Sequence, residues 1–345
     1  MALIDEIREQ PAAAQRLLEQ SAPVYRRLAG ELERRPPQFV VIAARGSSDH
    51  AALYAQYLLA VRNGLTVALA TPSTITLYGG RPRMAEALVI GISQSGQSAD
   101  IVAVLAEARR QGALTVAITN DGSSPLASVA AEVVELQAGP ERATAATKTY
   151  TTQLLAAALL SLALQPPSEQ EREELAALPE QLTAALGAES AAVRAASGHA
   201  SDTRAVVLGR GFEYATAREW ALKLQELAQL LAQPFSAADF EHGPLALIEE
   251  GFPVLAVAPA GRPAEAQLPL LRRLRDDHGA RLLVISDDQA ALALGEGLPL
   301  PAGVPGWLGP IVSIVPGQLF AYHLTRAKGL DPERPRSISK VTSTR

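Results

Sequence analysis

A chain of 345 residues with 48% hydrophobic and 19% charged content has the material for two packed domains, or one large one. Its net charge of −5 argues against non-specific nucleic-acid binding, which needs a basic footprint. With no cysteine, disulfides, thiolate metal sites and cysteine nucleophiles are excluded.

The N-terminus, MALIDEIREQ, lacks the basic-then-apolar layout of a signal peptide. The longest uncharged apolar run, 154–164, is shorter than the roughly 20 residues a bilayer requires. A soluble, cytoplasmic protein is the expectation. Residues 1–35 read as helices, with Leu17, Leu18 and Tyr25 among the apolar positions. A buried strand then enters Arg45-Gly46 and a helix, in QFVVIAARGSSDHAALYAQYLL; TRAVVLGRGFEYATAREWALKL repeats that shape at Arg210. Arg45 and Arg210 stand 165 apart, as do Gly96 of ALVIGISQSGQSAD and Gly261 of FPVLAVAPAGRPAE. A third pair, GALTVAITN and GARLLVISDD, aligns Gly112 with Gly279. Three matched units in order mark an internal duplication.

Continuous apolar strands alternating with helices predict an α/β protein built on parallel sheets covered on both faces. The expected divisions are N-terminal helices 1–35, a first domain 36–165, a helical linker 166–199 after a Pro-Pro break, a second domain 200–333, and an irregular tail 334–345.

Ligands of such sheets sit outside the carboxyl ends of the strands. Three loops of the first half fall there: Arg45-Gly46-Ser47-Ser48, the run Ser93-Gln94-Ser95-Gly96-Gln97-Ser98, and the run from Ala143 through Thr144, Ala145, Ala146 and Thr147 to Lys148. Hydroxyls and free N–H groups at a helix N-terminus form an anion cradle suited to a sugar phosphate. Helix capping alone explains one serine, but SQSGQS has more polar side chains than a cap needs. The matching loop of the second half, Ala258-Pro259-Ala260-Gly261, keeps the glycine and has no hydroxyls.

The second half offers different groups. Lys223 and Glu226 share a helix face, where an ordinary ion pair is the plain alternative and Glu219 is an equally placed partner. His242 lies beside a Gly-Pro turn in Phe240-Glu241-His242-Gly243-Pro244. Only four of the 31 basic residues are lysines: Lys148, Lys223, Lys328 and Lys340. A lysine kept in an arginine-rich chain marks a use for a compact, titratable amine, unless genome composition alone left it there. No cluster has metal-ligand spacing, and no metal or organic cofactor is expected.

SQSGQSAD, ATKTYTTQ, ALKLQE, EHGPLAL and the tail PRSISK, in that order, resemble the double sugar-isomerase (SIS) domain half of glutamine:fructose-6-phosphate aminotransferases. ARGSSDHAALYAQYLL and AGPERATAATK look like the stand-alone SIS-type glucosamine-6-phosphate deaminases. The resemblance implies two tandem SIS domains, each a flavodoxin- or Rossmann-like three-layer sandwich, with the tail closing over the site. It also implies a sugar 6-phosphate substrate, a homodimer with shared active sites, and neither nucleic acid nor membrane as partner. Ser48, Ser93, Gln94, Ser95, Ser98, Ala145 and Thr147 would hold the phosphate end. Glu226 would be the proton-transfer base, Lys223 the cation facing developing negative charge, His242 the ring-opening group and Lys340 the carbonyl-directed amine. The aminotransferases add a glutaminase with a catalytic cysteine, so deamination with free ammonia as product is expected here.

Departures from the aminotransferase pattern are Gln225 for lysine, Glu241 for lysine and Ala146 for serine. Three alternatives stay open: an isomerase related to the aminotransferase, an enzyme acting on another 6-phosphosugar such as a fructosamine or galactosamine derivative, and a non-catalytic sugar-phosphate sensor. Sensors of that kind join a DNA-binding helix-turn-helix to a single SIS domain, whereas here the domain is doubled and the first 35 residues are few and carry no basic excess with which to track phosphates.

Overall fold

The structure, a computed structural model, describes residues 2–340; Met1 and residues 341–345 of the expected tail lie outside the described residues. Helices α1 (Ala2–Arg8), α2 (Gln10–Gln20) and α3 (Ala22–Arg34) come first. Then follow β1 (Phe39–Ala43), α4 (Ser47–Asn63), β2 (Val67–Leu69), α5 (Ser73–Thr76), β3 (Ala87–Ile92), α6 (Ala99–Arg110), β4 (Leu114–Thr119), α7 (Pro125–Val129), β5 (Glu132–Glu135) and α8 (Lys148–Leu164). After α9 (Glu169–Ala185) and α10 (Glu189–Gly198) the order recurs. It runs β6 (Arg204–Gly209), α11 (Glu213–Ala228), β7 (Leu231–Ser236), α12 (Ala237–Phe240), β8 (Pro253–Val257), α13 (Arg262–Asp276), β9 (Arg281–Ser286), α14 (Gln289–Leu292), β10 (Glu296–Pro299) and α15 (Gly309–Ala327).

Two compact units result, and each has its own sheet. Among the described residues, the first comprises 12–141, 148–173 and 339–340; the second comprises 2–11, 142–147 and 174–338. In the first, the order is β2-β1-β3-β4-β5, all parallel, with Ile42 paired to Leu69 on one side and to Ile90 on the other. In the second it is β7-β6-β8-β9-β10, again all parallel. Counted from its own first strand, each sheet reads 2-1-3-4-5, so the order reverses between the first and third strands. That reversal is where an open α/β sheet leaves a crevice for ligands.

Strands buried on both faces explain the unbroken apolar runs. Val41, Val89, Ile101, Val104 and Leu105 pack one face of the first sheet; Val206, Val254, Leu271, Leu274 and Val284 do so in the second. Each such side chain contributes about 1.5–3 kcal/mol by leaving water. Pro234 is accommodated because β7 is an edge strand, where a missing N–H breaks no ladder. Helices α8 and α15 are apolar on nearly every face because neighbours surround them: α3 and α4 around α8, α10 and α11 around α15.

The N-terminal helices divide between the units. The buried Glu6 of α1 accepts hydrogen bonds from the backbone N–H groups of Arg142 and Ala143, which attaches both segments to the second unit. Glu333 in turn accepts from the N–H groups of Ala2 and Leu3 at 3.0 and 3.2 Å, capping α1. Beyond α15 no regular element occurs among the described residues. No helix among them is long and apolar enough to cross a membrane.

Candidate functional site

In the first unit, the loops after β1 and β3 flank the reversal point. Gly46 turns the chain with φ 56° and opens α4, which brings Ser48 into the first helical turn. Ser48 is buried, and its Oγ accepts from Gln153 Nε2 of α8 at 2.9 Å. The neighbouring Arg45 is held by Asp100 at 2.8 Å. That carboxylate, at the start of α6, is 2% exposed, and the guanidinium supplies the opposite charge that a buried carboxylate needs.

The loop after β3 folds around Gly96. Its φ is 61°, and a Cβ there would stand 2.1 Å from Ser124 Oγ, so only glycine fits. The N–H of Gly96 donates to Ser93 Oγ at 3.2 Å, and that of Gln97 to Ser95 Oγ at 3.3 Å. Asn120 N–H donates to the Gln94 carbonyl at 3.0 Å, tying the loop to the end of β4. Ser98 stands at the N-cap of α6 in extended conformation, yet its side chain makes no capping hydrogen bond. A half-buried hydroxyl at the positive end of a 12-residue helix is therefore available to an anion.

The third loop leads into α8. Ala145 and Thr147 are buried and belong with the second unit, whereas Lys148, also buried, belongs with the first. Glu141 has no exposed side-chain surface and accepts from Thr149 N–H at 3.1 Å, Thr149 Oγ1 at 2.8 Å and Lys340 Nζ at 2.6 Å. Lys340 is thus held as one half of an ion pair.

In the second unit the chemistry concentrates on α11. Glu219, Lys223 and Glu226 lie on successive turns, and Lys223 Nζ stands 2.6 Å from Glu226 Oε2 and 3.3 Å from Glu219 Oε1. Lys223 and Glu219 are fully buried, while Glu226 keeps 22% of its side chain exposed. Burial pulls the Lys223 pKa down, but the two carboxylates outweigh it and the net shift is upward. This lysine therefore remains an ammonium. Glu219 was visible in the sequence only as a competing partner; the structure has both carboxylates on the same amine.

Two departures from the aminotransferase pattern find local partners. Gln225 donates to the Ala232 carbonyl at 2.5 Å, and Glu241 pairs with Arg273 at 2.7 Å. His242 follows α12 on an exposed turn, its backbone N–H bonded to the Asp239 carbonyl at 3.0 Å. The residue matching Ser48 in the second copy is Glu213. It is buried at the start of α11, where Ser313 and Thr216 hydroxyls each donate to it at 2.6 Å. Burial raises its pKa to about 7, against the lowering effect of those two hydroxyls. No group of three His, Cys, Asp or Glu side chains suited to a metal ion occurs among the described residues.

The SIS-domain pattern matches residues 37–163 and again 200–326. The chain belongs to the SIS-domain family. Over 355 residues it is 34% identical to the glutamine–fructose-6-phosphate aminotransferase (isomerizing) of Gloeobacter violaceus, an alignment covering 98% of this chain and 58% of that enzyme. A Thermococcus kodakarensis counterpart is 33% identical over 347 residues, covering 98% of this chain and 57% of the relative. The chain thus spans less than two thirds of these relatives. Among solved structures, the C-terminal domain of the Francisella tularensis glucosamine-fructose-6-phosphate aminotransferase superposes with a TM-score of 0.87 at 27% identity, covering 97% of this chain and 98% of that one. A Thermotoga maritima glucosamine-6-phosphate deaminase has a TM-score of 0.79 at 19% identity, covering 100% of both chains, a likeness of fold alone. The SIS chain described here is homologous to the isomerase domain of the aminotransferases.

Proposed function

We propose that this SIS protein is a sugar-phosphate enzyme that converts glucosamine 6-phosphate and water to fructose 6-phosphate and ammonia. The observation that carries the reading is Lys223 buried against Glu219 and Glu226, 3.3 and 2.6 Å away. A buried ammonium with two carboxylates, one of them partly exposed, is a proton-transfer device rather than a surface ion pair.

The roles follow from the chemistry. Ser48, Ser93, Gln94, Ser95, Ser98 and Thr147, with the backbone at Ala145, hold the phosphate, the non-reacting end of the substrate. His242 opens the sugar ring by moving a proton to the ring oxygen, a task suited to an imidazole, which has one nitrogen to donate with and one to accept with. Glu226 removes the proton from carbon 2 and returns it to carbon 1, while oxygen 1 takes up a proton and the nitrogen gives one up, which converts the aldose amine into a ketose imine. The Lys223 ammonium stabilises the negative charge that grows on oxygen 1 during enolisation. Water then adds to the imine at carbon 2 and ammonia leaves. Lys340, once released from Glu141, supplies an amine toward the carbonyl. A homodimer in which the exposed His242 serves a neighbouring subunit is part of the same reading.

The test is a panel of amino-sugar 6-phosphates of the gluco, galacto and fructosamine types, each assayed for ammonia and sugar phosphate. Turnover confined to glucosamine 6-phosphate supports the assignment. Turnover of a different member replaces the substrate, and thermal stabilisation by sugar phosphates without turnover replaces the enzyme with a sensor.

A further inference from the structure

Gln153 sits on α8 with its side chain buried, and its Nε2 donates to Ser48 Oγ at 2.9 Å. A hydroxyl has one hydrogen to give and lone pairs to receive with. With an amide N–H occupying a lone pair, the Ser48 hydrogen is left to point at another acceptor. A carboxylate in place of Gln153 would take that hydrogen and leave Ser48 presenting only lone pairs, which repel a phosphate oxygen.

The other amide atom sharpens this. Gln153 Oε1 is buried without a hydrogen-bond partner. Turning the amide over would give Oε1 the Ser48 hydrogen and leave Nε2 unmet in its place. Either orientation strands one buried polar atom. Only the observed one frees the hydroxyl hydrogen.

The duplication provides a control within the same chain. Gln318 lies 165 residues beyond Gln153, on α15, and Glu213 lies 165 beyond Ser48, on α11. There, Gln318 Oε1 accepts from Gln10 Nε2 at 2.8 Å, and Glu213 receives its hydrogens from Ser313 and Thr216. The glutamine is kept, but no hydroxyl remains for it to orient, in the half whose second loop also lacks hydroxyls.

We propose that Gln153 is a positioning residue that directs the Ser48 hydroxyl hydrogen toward the phosphate of a bound sugar phosphate. The inference rests on the phosphate-holding role proposed above for Ser48. It assigns Gln153 no contact with the reacting atoms, so the expected signature is loss of ligand affinity and a higher KM, with kcat nearly unchanged.

The experiment is titration calorimetry of glucose 6-phosphate with wild type, Gln153→Glu and Gln153→Leu, accompanied by melting curves. At pH 8 the Gln153→Glu variant should bind about tenfold or more weakly, since it reverses a hydrogen bond to a charged group. At pH 5, measured against wild type at the same pH, part of that loss should be recovered, because burial at this position favours the protonated form of the introduced carboxyl, which can donate again. Gln153→Leu should lose a smaller factor that does not depend on pH. Should Gln153→Glu fail to fold, Gln153→Leu placed in a Ser48→Ala background should add no further loss. The proposal is overturned by wild-type affinity in Gln153→Glu at pH 8, by equal and pH-independent losses in both variants, or by a full additional loss in the double variant. A wild type that binds no hexose 6-phosphate overturns the phosphate reading itself, and this assignment with it.

Discussion

Ser98 and Ser124 both begin helices of the first unit in extended conformation, and only Ser124 caps its helix. Ser124 Oγ accepts from Ala127 N–H at 3.3 Å, whereas the Ser98 side chain makes no cap bond to α6. Two serines in the same local geometry thus differ in whether their hydroxyls cap the helix they begin. The first prediction follows from that difference. Ser124→Ala should cost about 1 kcal/mol of stability, the usual worth of a cap. Ser98→Ala should leave the melting temperature near wild type and raise KM for the sugar phosphate by about tenfold. Melting curves alongside steady-state kinetics check both halves.

Lys223 neutralises two carboxylates, one of them fully buried. Lys223→Met should therefore destabilise the protein by about 3–5 kcal/mol, because removing one partner leaves buried charge uncompensated. Adding Glu219→Gln to that variant should recover part of the loss, and turnover should stay absent in both. Denaturant unfolding of the single and double variants gives the comparison.

Glu226→Gln keeps the shape of the side chain and removes its ability to take a proton. Turnover should fall by about 100-fold or more. The dissociation constant for a hexose 6-phosphate should change by less than about threefold. An equal effect on binding and turnover would make Glu226 a binding group instead of the base.

Glu213 carries a pH signature of its own. Burial raises its folded-state pKa to about 7 from the unfolded value of 4.5. The folded state therefore holds the proton more tightly, so the contribution of this group is greatest below about pH 4.5 and is lost as pH rises through 7. The change is on the order of 3 kcal/mol. Glu213→Gln should abolish it, so the variant should gain stability relative to wild type as pH rises from 5 to 8. A constant difference between the two across that range would show that Glu213 ionises normally.

Much of the fold can be read from the sequence, because strands covered on both faces must be apolar along their whole length. The 165-residue offset likewise predicts two sheets of one design, and both have the order 2-1-3-4-5. Position in sequence also places Lys223 and Glu226 together, since three residues on a helix fix their proximity. Contacts made across long stretches of chain are another matter. Lys340 looks like a free amine in the sequence, and Glu141, its partner, lies 199 residues away. Glu6 joins α1 to the 142–147 loop over 136 residues, and nothing in the periodicity of the first helices announces it. Gln153 reads as one more polar residue in a threonine-rich helix start until Ser48 is seen 2.9 Å from its amide. The hydroxyl-rich loop itself was legible; which of its hydroxyls are already occupied was not.

Incubating the purified protein with glucosamine 6-phosphate in the absence of glutamine, with ammonia and fructose 6-phosphate measured over time, tests the deaminase reading. Both should appear together in a one-to-one ratio, and Glu226→Gln should suppress both. Formation of neither, or fructose 6-phosphate production that is unchanged in Glu226→Gln, would contradict it.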